Sequence, residues 1–186
     1  MYQSSDSANI IVLGTAQDGG YPQAGCSEDC CREAWKDVDK KRLIASLAVF
    51  SGKDFFLIDI TPDFKYQFQL MENHLNEKPN LSGICITHAH LGHYMGLLEL
   101  GLEVMNMDAI PVYVMPKMKS FLENNAPFTQ LVKLNNIRLV LIDENSPINV
   151  FGDVNIKPLK VPHRNEYSET VGYHITTSHK SVLYIP

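Results

Sequence analysis

Three histidines stand within six positions of the chain, in the segment THAHLGHY at residues 87–94. They follow the apolar run LSGICI, which has the length and composition of a buried strand. Side chains two apart in a strand share a face, so His88 and His90 can direct two imidazoles to one point, and His93 follows one short turn later. Neutral imidazole is a common ligand of zinc, iron, nickel and copper. The spacing therefore predicts a metal site at a strand end, in preference to three unrelated histidines.

The remaining sequence predicts a layered fold in which strands outnumber helices. Apolar or β-rich runs bounded by turn residues predict strands at 9–16, 45–50, 54–60, 81–87, 110–115 and 137–144, with further hairpins within 148–163 and 171–186. Helices are predicted around 34–42 and at 64–75, 95–105 and 117–125. Because few helices separate the strands of the second half, we expect an α/β sandwich with mostly hairpin-connected sheets.

Length and charge limit the architecture and the partners. The chain of 186 residues fits one domain, which we place at 1–186. A formal net charge of -5 argues against nucleic acid and anionic membranes and favours a small-molecule substrate. No apolar run reaches the length of a membrane span, and the first ten residues lack the features of a signal peptide. We expect a cytoplasmic protein, although a removed export signal would leave no trace.

A catalytic metal needs ligands from outside the histidine segment, and His163 in KVPHR is the best candidate. It ends a β-rich run, as His88 does, and the alternative is an ordinary loop histidine. The adjacent Arg164 could hold an anionic group of a substrate. Asp18, in the loop GTAQDGG, is a second substrate-binding candidate at the mouth of the site.

The chain resembles the metallo-β-lactamase-fold hydrolase superfamily, whose signature H-x-H-x-D-H follows a strand. VLGTAQDGGYPQAGC and THAHLGHYMGLLELG are more narrowly similar to the branch that contains pyrroloquinoline quinone biosynthesis protein B and the cyclic phosphodiesterase of phosphonate breakdown. The resemblance implies a metallo-β-lactamase-like αββα sandwich. It also implies that the chain is a C-terminally truncated copy, the front part of a longer family domain, since an aspartate and a histidine of the family pattern would follow Pro186.

The resemblance also implies roles for individual residues. Asp59 matches a buried aspartate near the metal centre that orients the histidine loop, and His93 matches a ligand of a second metal; we expect both to act in catalysis. The first metal site would be formed by three imidazoles, those of His88, His90 and His163.

Gly92 is the departure from the family pattern, because the superfamily has a metal-binding aspartate there. Glycine cannot bind a metal, which favours one firmly held ion over two. The alternative explanation is a turn that requires positive φ at this position.

A cluster of three cysteines suggests a second metal. Cys26, Cys30 and Cys31 could give three thiolates to a structural zinc, which the resembled branch carries near this loop, and the alternative is free thiols. Cys85 lies between two isoleucines and is more simply a small buried apolar residue.

These features predict a metal-dependent hydrolase that activates water to cleave an ester, amide or phosphodiester bond. Zinc is the expected cofactor, with iron or manganese as alternatives. Two other functions stay open: an iron-dependent oxidoreductase of the pyrroloquinoline quinone biosynthesis B type, and a non-catalytic metal-binding protein. If the strand at 182–185 has an unpaired edge, that edge could pair with a second copy of the chain, so a homo-oligomer is possible.

Overall fold

The computed structural model describes residues 8–186. Within them the strands are β1 (Asn9–Gly14), β2 (Ser46–Ser51), β3 (Asp54–Ile58), β4 (Asn80–Cys85), β5 (Ile110–Val114), β6 (Ile137–Leu141), β7 (Ile148–Phe151), β8 (Val154–Lys160), β9 (Val171–Thr176) and β10 (Ser181–Tyr184). The α-helices are α1 (Asp29–Lys36), α2 (Phe64–Leu75), α3 (Leu91–Tyr94), α4 (Pro116–Asn124) and α5 (Phe128–Lys133). Short 3-10 helices cover Val38–Lys40 and Met95–Leu100.

The first sheet has six strands in the order of the chain, β1 to β6. Its first three strands are antiparallel neighbours, and the hairpin between β2 and β3 turns where the sequence predicts. From β3 to β6 every pairing is parallel. The expectation of mostly hairpin-connected sheets is therefore wrong for this half, because helices and 3-10 segments carry the chain back between successive strands.

The second sheet is antiparallel throughout, with the order β10-β9-β8-β7. The predicted turn at 152–153 connects β7 to β8, and Gly152 adopts a φ of 49° there. The second predicted hairpin, from β9 to β10, is also present. Hairpin prediction therefore holds for this sheet.

Two apolar cores separate the layers. Alternate residues of β2 point in opposite directions: Ala48 and Phe50 pack toward the helices, while Leu47 and Val49 pack toward the second sheet. The second core includes Ile156 of β8 and other apolar residues of β7 to β9. This alternation produces the helix–sheet–sheet layering of the predicted sandwich.

Two predicted helices differ from the structure in extent. The segment predicted as a helix at 95–105 is a 3-10 helix that ends at Leu100, followed by turns. Near its start, Gly96 packs so closely that an added Cβ would lie 2.3 Å from the carbonyl oxygen of Thr61. Helix α1 begins at Asp29, before the predicted start, and therefore includes two of the cysteines. Among the described helices, none has both the length and the apolar character needed to cross a bilayer.

Candidate metal centre

The site forms where the parallel strands β3 and β4 end. Asp59 directly follows β3, and the histidine segment begins two residues after β4. The backbone N–H of Thr87 donates to Oδ1 of Asp59 at 2.8 Å, and the N–H of Asp59 donates to the carbonyl of Cys85 at 2.9 Å. Carboxyl ends of neighbouring parallel strands meet at one edge of a sheet, so the topology itself brings the aspartate and the histidines together.

Asp59 is fully buried and organises the residues around it. Its Oδ2 accepts hydrogen bonds from the hydroxyl of Thr87 at 3.0 Å and from Nδ1 of His93 at 2.7 Å, and the hydroxyl of Tyr184 lies 3.2 Å away. The residue has a φ of 63°, a conformation that non-glycine residues seldom adopt. Such backbone strain persists only where surrounding contacts determine it, and it is common at functional sites.

The hydrogen bonds around His88 and His90 indicate which ring nitrogen of each is free to bind. Because Thr87 gives its hydroxyl proton to Asp59, its oxygen accepts from Nδ1 of His88 at 2.9 Å, which leaves Nε2 with a lone pair. Nε2 of His90 lies 3.2 Å from a carboxylate oxygen of Glu166, so it carries the proton and Nδ1 has the lone pair. These tautomers follow from the hydrogen-bond network.

The free nitrogens converge on one point. Nε2 of His88 lies 2.8 Å from Nδ1 of His90, and Nε2 of His163 lies 3.1 Å from the same atom. The ligand atoms of these three histidines all lie within 4.8 Å of one another. Two lone pairs that face each other at such distances repel unless a cation lies between them. A metal implied by the sequence therefore fits this donor set, and three imidazoles suit zinc or iron better than manganese.

Electrostatics favours the metal-binding form of these imidazoles. Burial, followed by the neighbouring imidazoles, lowers the pKa of His88 to about 3. Burial and His90 also lower the pKa of His163. Both rings are therefore neutral near pH 7, which is the state that binds a metal ion.

His93 lies beside this triad. Its ring centroid is 4.2 Å from that of His88, but its two nitrogens face carboxylates: Nδ1 faces Asp59, and Nε2 lies 3.2 Å from Oδ1 of Asp18. Burial lowers the pKa of His93, but the two carboxylates outweigh burial and the pKa is raised. His93 thus differs in charge preference from His88 and His163, whose pKa values are lowered.

An open cleft of about 500 Å³ gives access to the histidines. Its walls include the two residues predicted to bind substrate, Asp18 and Arg164. The Arg164 side chain is 72% exposed and its Nη1 lies 3.6 Å from Oε1 of Glu166. The structure therefore places an exposed guanidinium group at the rim and a carboxylate against His93.

The cysteines do not converge as the histidines do. Cys26 and Cys31 lie within hydrogen-bonding contact, which raises the pKa of Cys26, whereas Cys30 is exposed on α1. Among residues 8–186, the only group of three or more potential ligands close enough to share an ion is the histidine triad. The predicted structural zinc site therefore lacks a formed three-thiolate arrangement. Cys85 is fully buried in the core between the sheets, as expected of a small apolar residue.

Three residues that orient the site were not among the predicted site residues. Thr87 stands between Asp59 and His88, Glu166 holds His90, and Tyr184 lies against Asp59. Thr87 adjoins the histidine motif and could have been suspected as a hydrogen-bonding partner. Glu166 and Tyr184 are brought in by the second sheet, and no local pattern in the sequence signals them.

The sequence of residues 55–186 matches the family of the Beta-lactamase superfamily domain. Coenzyme PQQ synthesis protein B of Rhodopseudomonas palustris is 31% identical over 129 residues, which cover 66% of this chain and 40% of that protein. The protein of the same name from Xanthomonas oryzae pv. oryzae is 27% identical over 199 residues, covering 95% of this chain and 64% of the relative. The chain thus spans 40% and 64% of the length of these two relatives, in both cases less than two thirds.

Solved structures share the fold. Zinc-bound PqqB from Methylobacterium extorquens superposes with a TM-score of 0.78 at 23% identity, covering 97% of this chain and 65% of that one. A diphosphatase of the PhnP family gives a TM-score of 0.66 at 24% identity, covering 90% and 61%. The predicted metallo-β-lactamase-like fold is confirmed, and by its sequence match and its architecture the chain belongs to the beta-lactamase superfamily.

Proposed function

We propose that this chain is a metal-dependent hydrolase that cleaves an ester, amide or phosphodiester bond of a small molecule. One observation carries the proposal: the ligand nitrogens of His88, His90 and His163 lie within 4.8 Å of one another in the wall of an open cleft. Three protein ligands and an open side facing solvent are the arrangement of catalytic zinc sites. When bound, a divalent ion supplies the Lewis acidity that lets water attack near neutral pH and that polarises the bond to be cleaved.

The chain's own residues contribute orientation and charge. Thr87 and Glu166 fix the tautomers of His88 and His90, so that each ring presents a lone pair. Asp59 holds His93, whose second nitrogen points into the cleft toward Asp18. Arg164 at the rim is suited to an anionic substrate group, which favours a phosphodiester among the three bond types.

Metal analysis and turnover together test this function. Zinc, iron and manganese would be quantified by mass spectrometry in wild type, His90→Ala and Cys26→Ser, with the hydrolysis of bis-p-nitrophenyl phosphate and p-nitrophenyl acetate measured in parallel. We expect His90→Ala to lose both metal and activity and Cys26→Ser to keep both. Full activity in His90→Ala would contradict the proposal.

A second function is supported by the relatives named coenzyme PQQ synthesis protein B. An iron-dependent oxidoreductase of that type would use the same imidazoles, because three nitrogen ligands also suit iron. Metal identity separates the two: activity that requires ferrous iron and oxygen would favour the oxidoreductase, and activity with zinc under nitrogen would favour the hydrolase. Bound metal without turnover under either condition would favour a non-catalytic metal-binding protein.

A further inference from the structure

Gly92 makes room for a residue from another part of the chain. It is buried in α3, and a Cβ added to it would lie 2.6 Å from Cα of Asp18 and 2.9 Å from both Cβ and Cγ of that residue. Side-chain carbon atoms do not approach so closely without a shift of the backbone. Gly92 does not have a positive φ, so the alternative explanation by a positive-φ turn is wrong, and close packing explains the glycine.

The loop that carries Asp18 is held in place from both ends. Before it, Ala16 forms a bridge with Ile44; after it, the N–H of Tyr21 donates to the carbonyl of Arg42 at 3.1 Å. Within it, the N–H of Gly20 donates to the carbonyl of Gln17 at 2.8 Å. These bonds fix the position of the Asp18 backbone against the histidine segment.

The side chain of Asp18 lies where a carboxylate at position 92 would begin. Its Cγ would be 2.9 Å from a Cβ at Gly92, and its Oδ1 lies 3.2 Å from Nε2 of His93. In a tetrahedral site, two ligand atoms bound at about 2.1 Å lie roughly 3.4 Å apart. The observed separation of 3.2 Å is close to that spacing, so the two atoms can bind one ion with little movement. Nδ1 of His93 already donates its N–H to Asp59, so Nε2 is the atom that can bind a cation.

We propose that Asp18 is the carboxylate ligand of this site in place of the residue absent at position 92, and that with His93 it binds a second cation beside the triad. The inference rests on the proposed metal-dependent function and specifies which residues surround the metal. The carboxylate that is missing at position 92 is then supplied from position 18, so the site keeps one carboxylate ligand. The second ion is held more weakly than the first, because two protein ligands bind it where three bind the other.

Zinc titration of the full chain tests the proposal. A chromophoric chelator would compete for zinc, and the parent would carry Cys26→Ser and Cys30→Ser so that the cysteine cluster keeps only the buried Cys31 and cannot supply a set of thiolates to zinc. We expect two equivalents in the parent, with the weaker one reduced in affinity by about tenfold or more in Asp18→Asn and the stronger one unchanged. Asp39→Asn, which removes an exposed carboxylate of the nearby 3-10 helix, is the matched control and should behave as the parent.

Three results would overturn the proposal: a parent that binds one equivalent, an Asp18→Asn variant that titrates like Asp39→Asn, or equal weakening of both equivalents by Asp18→Asn. His90→Ala separates this failure from that of the proposed function. If His90→Ala loses the stronger equivalent while Asp18→Asn matches its control, only the role of Asp18 is wrong. If His90→Ala keeps both equivalents, the histidine site itself is wrong.

The close approach can be tested without any metal. In zinc-free protein, Gly92→Ala should lower the midpoint of thermal unfolding by several degrees, because its Cβ meets the Asp18 backbone. Adding Asp18→Gly removes two of the three close atoms and loosens the loop, so at least part of the loss should be recovered. A midpoint unaffected by Gly92→Ala, or an additive loss in the double variant, would contradict the packing on which the proposal depends.

Discussion

Nδ1 of His93 lies 2.7 Å from Oδ2 of Asp59, and that oxygen also accepts the hydroxyl proton of Thr87. One buried carboxylate therefore orients two histidines, His93 directly and His88 through Thr87. The carboxylate is acceptor-only, and every neighbour that faces it is a donor. The negative charge of Asp59 is therefore as important to the site as the position of its side chain, because an uncharged side chain could not accept from all of these donors.

Replacing Asp59 by asparagine should strongly destabilise the protein. The amide would turn a donor toward donors from Thr87 or His93, and a buried polar group left unsatisfied costs about 1–3 kcal/mol. We expect the free energy of unfolding of zinc-free protein to fall by about 2 kcal/mol or more in urea titrations. Asp39→Asn should leave it unchanged, and an unaltered urea midpoint in Asp59→Asn would argue against the hydrogen-bond network.

Removing Glu166 should weaken metal binding while leaving the fold intact. Glu166 accepts from Nε2 of His90 at 3.2 Å and is partly exposed, so its loss frees the ring to change tautomer without opening the core. We expect Glu166→Ala to lower zinc affinity by about tenfold, since partners behind metal ligands typically contribute about 10–100-fold. Glu166→Gln should lose less because its carbonyl oxygen can still accept. Equal zinc affinity in Glu166→Ala and in the exposed control Glu77→Ala would refute this role.

The zinc-free protein should lose stability on the acid side. Burial and the neighbouring imidazoles lower the pKa of His88 to about 3, whereas an unfolded histidine titrates near about 6.5. Between these values the unfolded chain binds a proton that the folded chain does not, so stability is present above about pH 6.5 and is lost as the pH falls toward 3. Urea unfolding in EDTA across this range should show the slope, and His88→Asn should flatten it.

His93 should contribute with the opposite sign. Burial lowers its pKa, but Asp59 and Asp18 raise it overall, so its contribution is fully present below about pH 6.5 and is lost as the pH rises through the folded pKa. Zinc-free His93→Asn should therefore lose less stability between neutral and alkaline pH than the wild type does. Parallel curves for the two proteins above about pH 6.5 would contradict the raised pKa of His93.

Removing only the hydroxyl oxygen of Tyr173 should cost the protein a large amount of stability. Its buried hydroxyl donates to the carbonyl of Ile86 at 2.7 Å, which connects β9 of the second sheet to the residue that precedes the histidine segment. Tyr173→Phe leaves that carbonyl unsatisfied, and we expect a loss of about 1–3 kcal/mol in urea unfolding. Tyr66→Phe, on the exposed face of α2, is the control and should cost nothing measurable.

The sequence predicts those features that depend on patterns within a short segment of the chain. Two β-rich runs separated by turn residues located β2 and β3, and the two-residue spacing of His88 and His90 predicted that they act together. It could not predict that Asp18 fills the space beside Gly92, because the two residues are 74 positions apart in the chain and are brought together by the loop contacts at 15–21. The parallel pairing from β3 to β6 was missed although helices were predicted between these strands, because strand pairing depends on contacts between distant segments that no local pattern shows.

The triad draws its members from both sheets. His90 follows β4 of the first sheet and His163 follows β8 of the second, 73 positions later in the chain. The N–H of Ala89, which donates to the hydroxyl of Ser168 at 2.8 Å, is among the groups that hold the two segments together. An ion shared by these imidazoles would act as a reversible crosslink that closes a long loop, which restricts the unfolded chain far more than a local clip does. Removal of the ion by a chelator should therefore weaken the connection between the two sheets. Faster proteolytic cleavage in the segment 161–170 would be the most direct evidence of this.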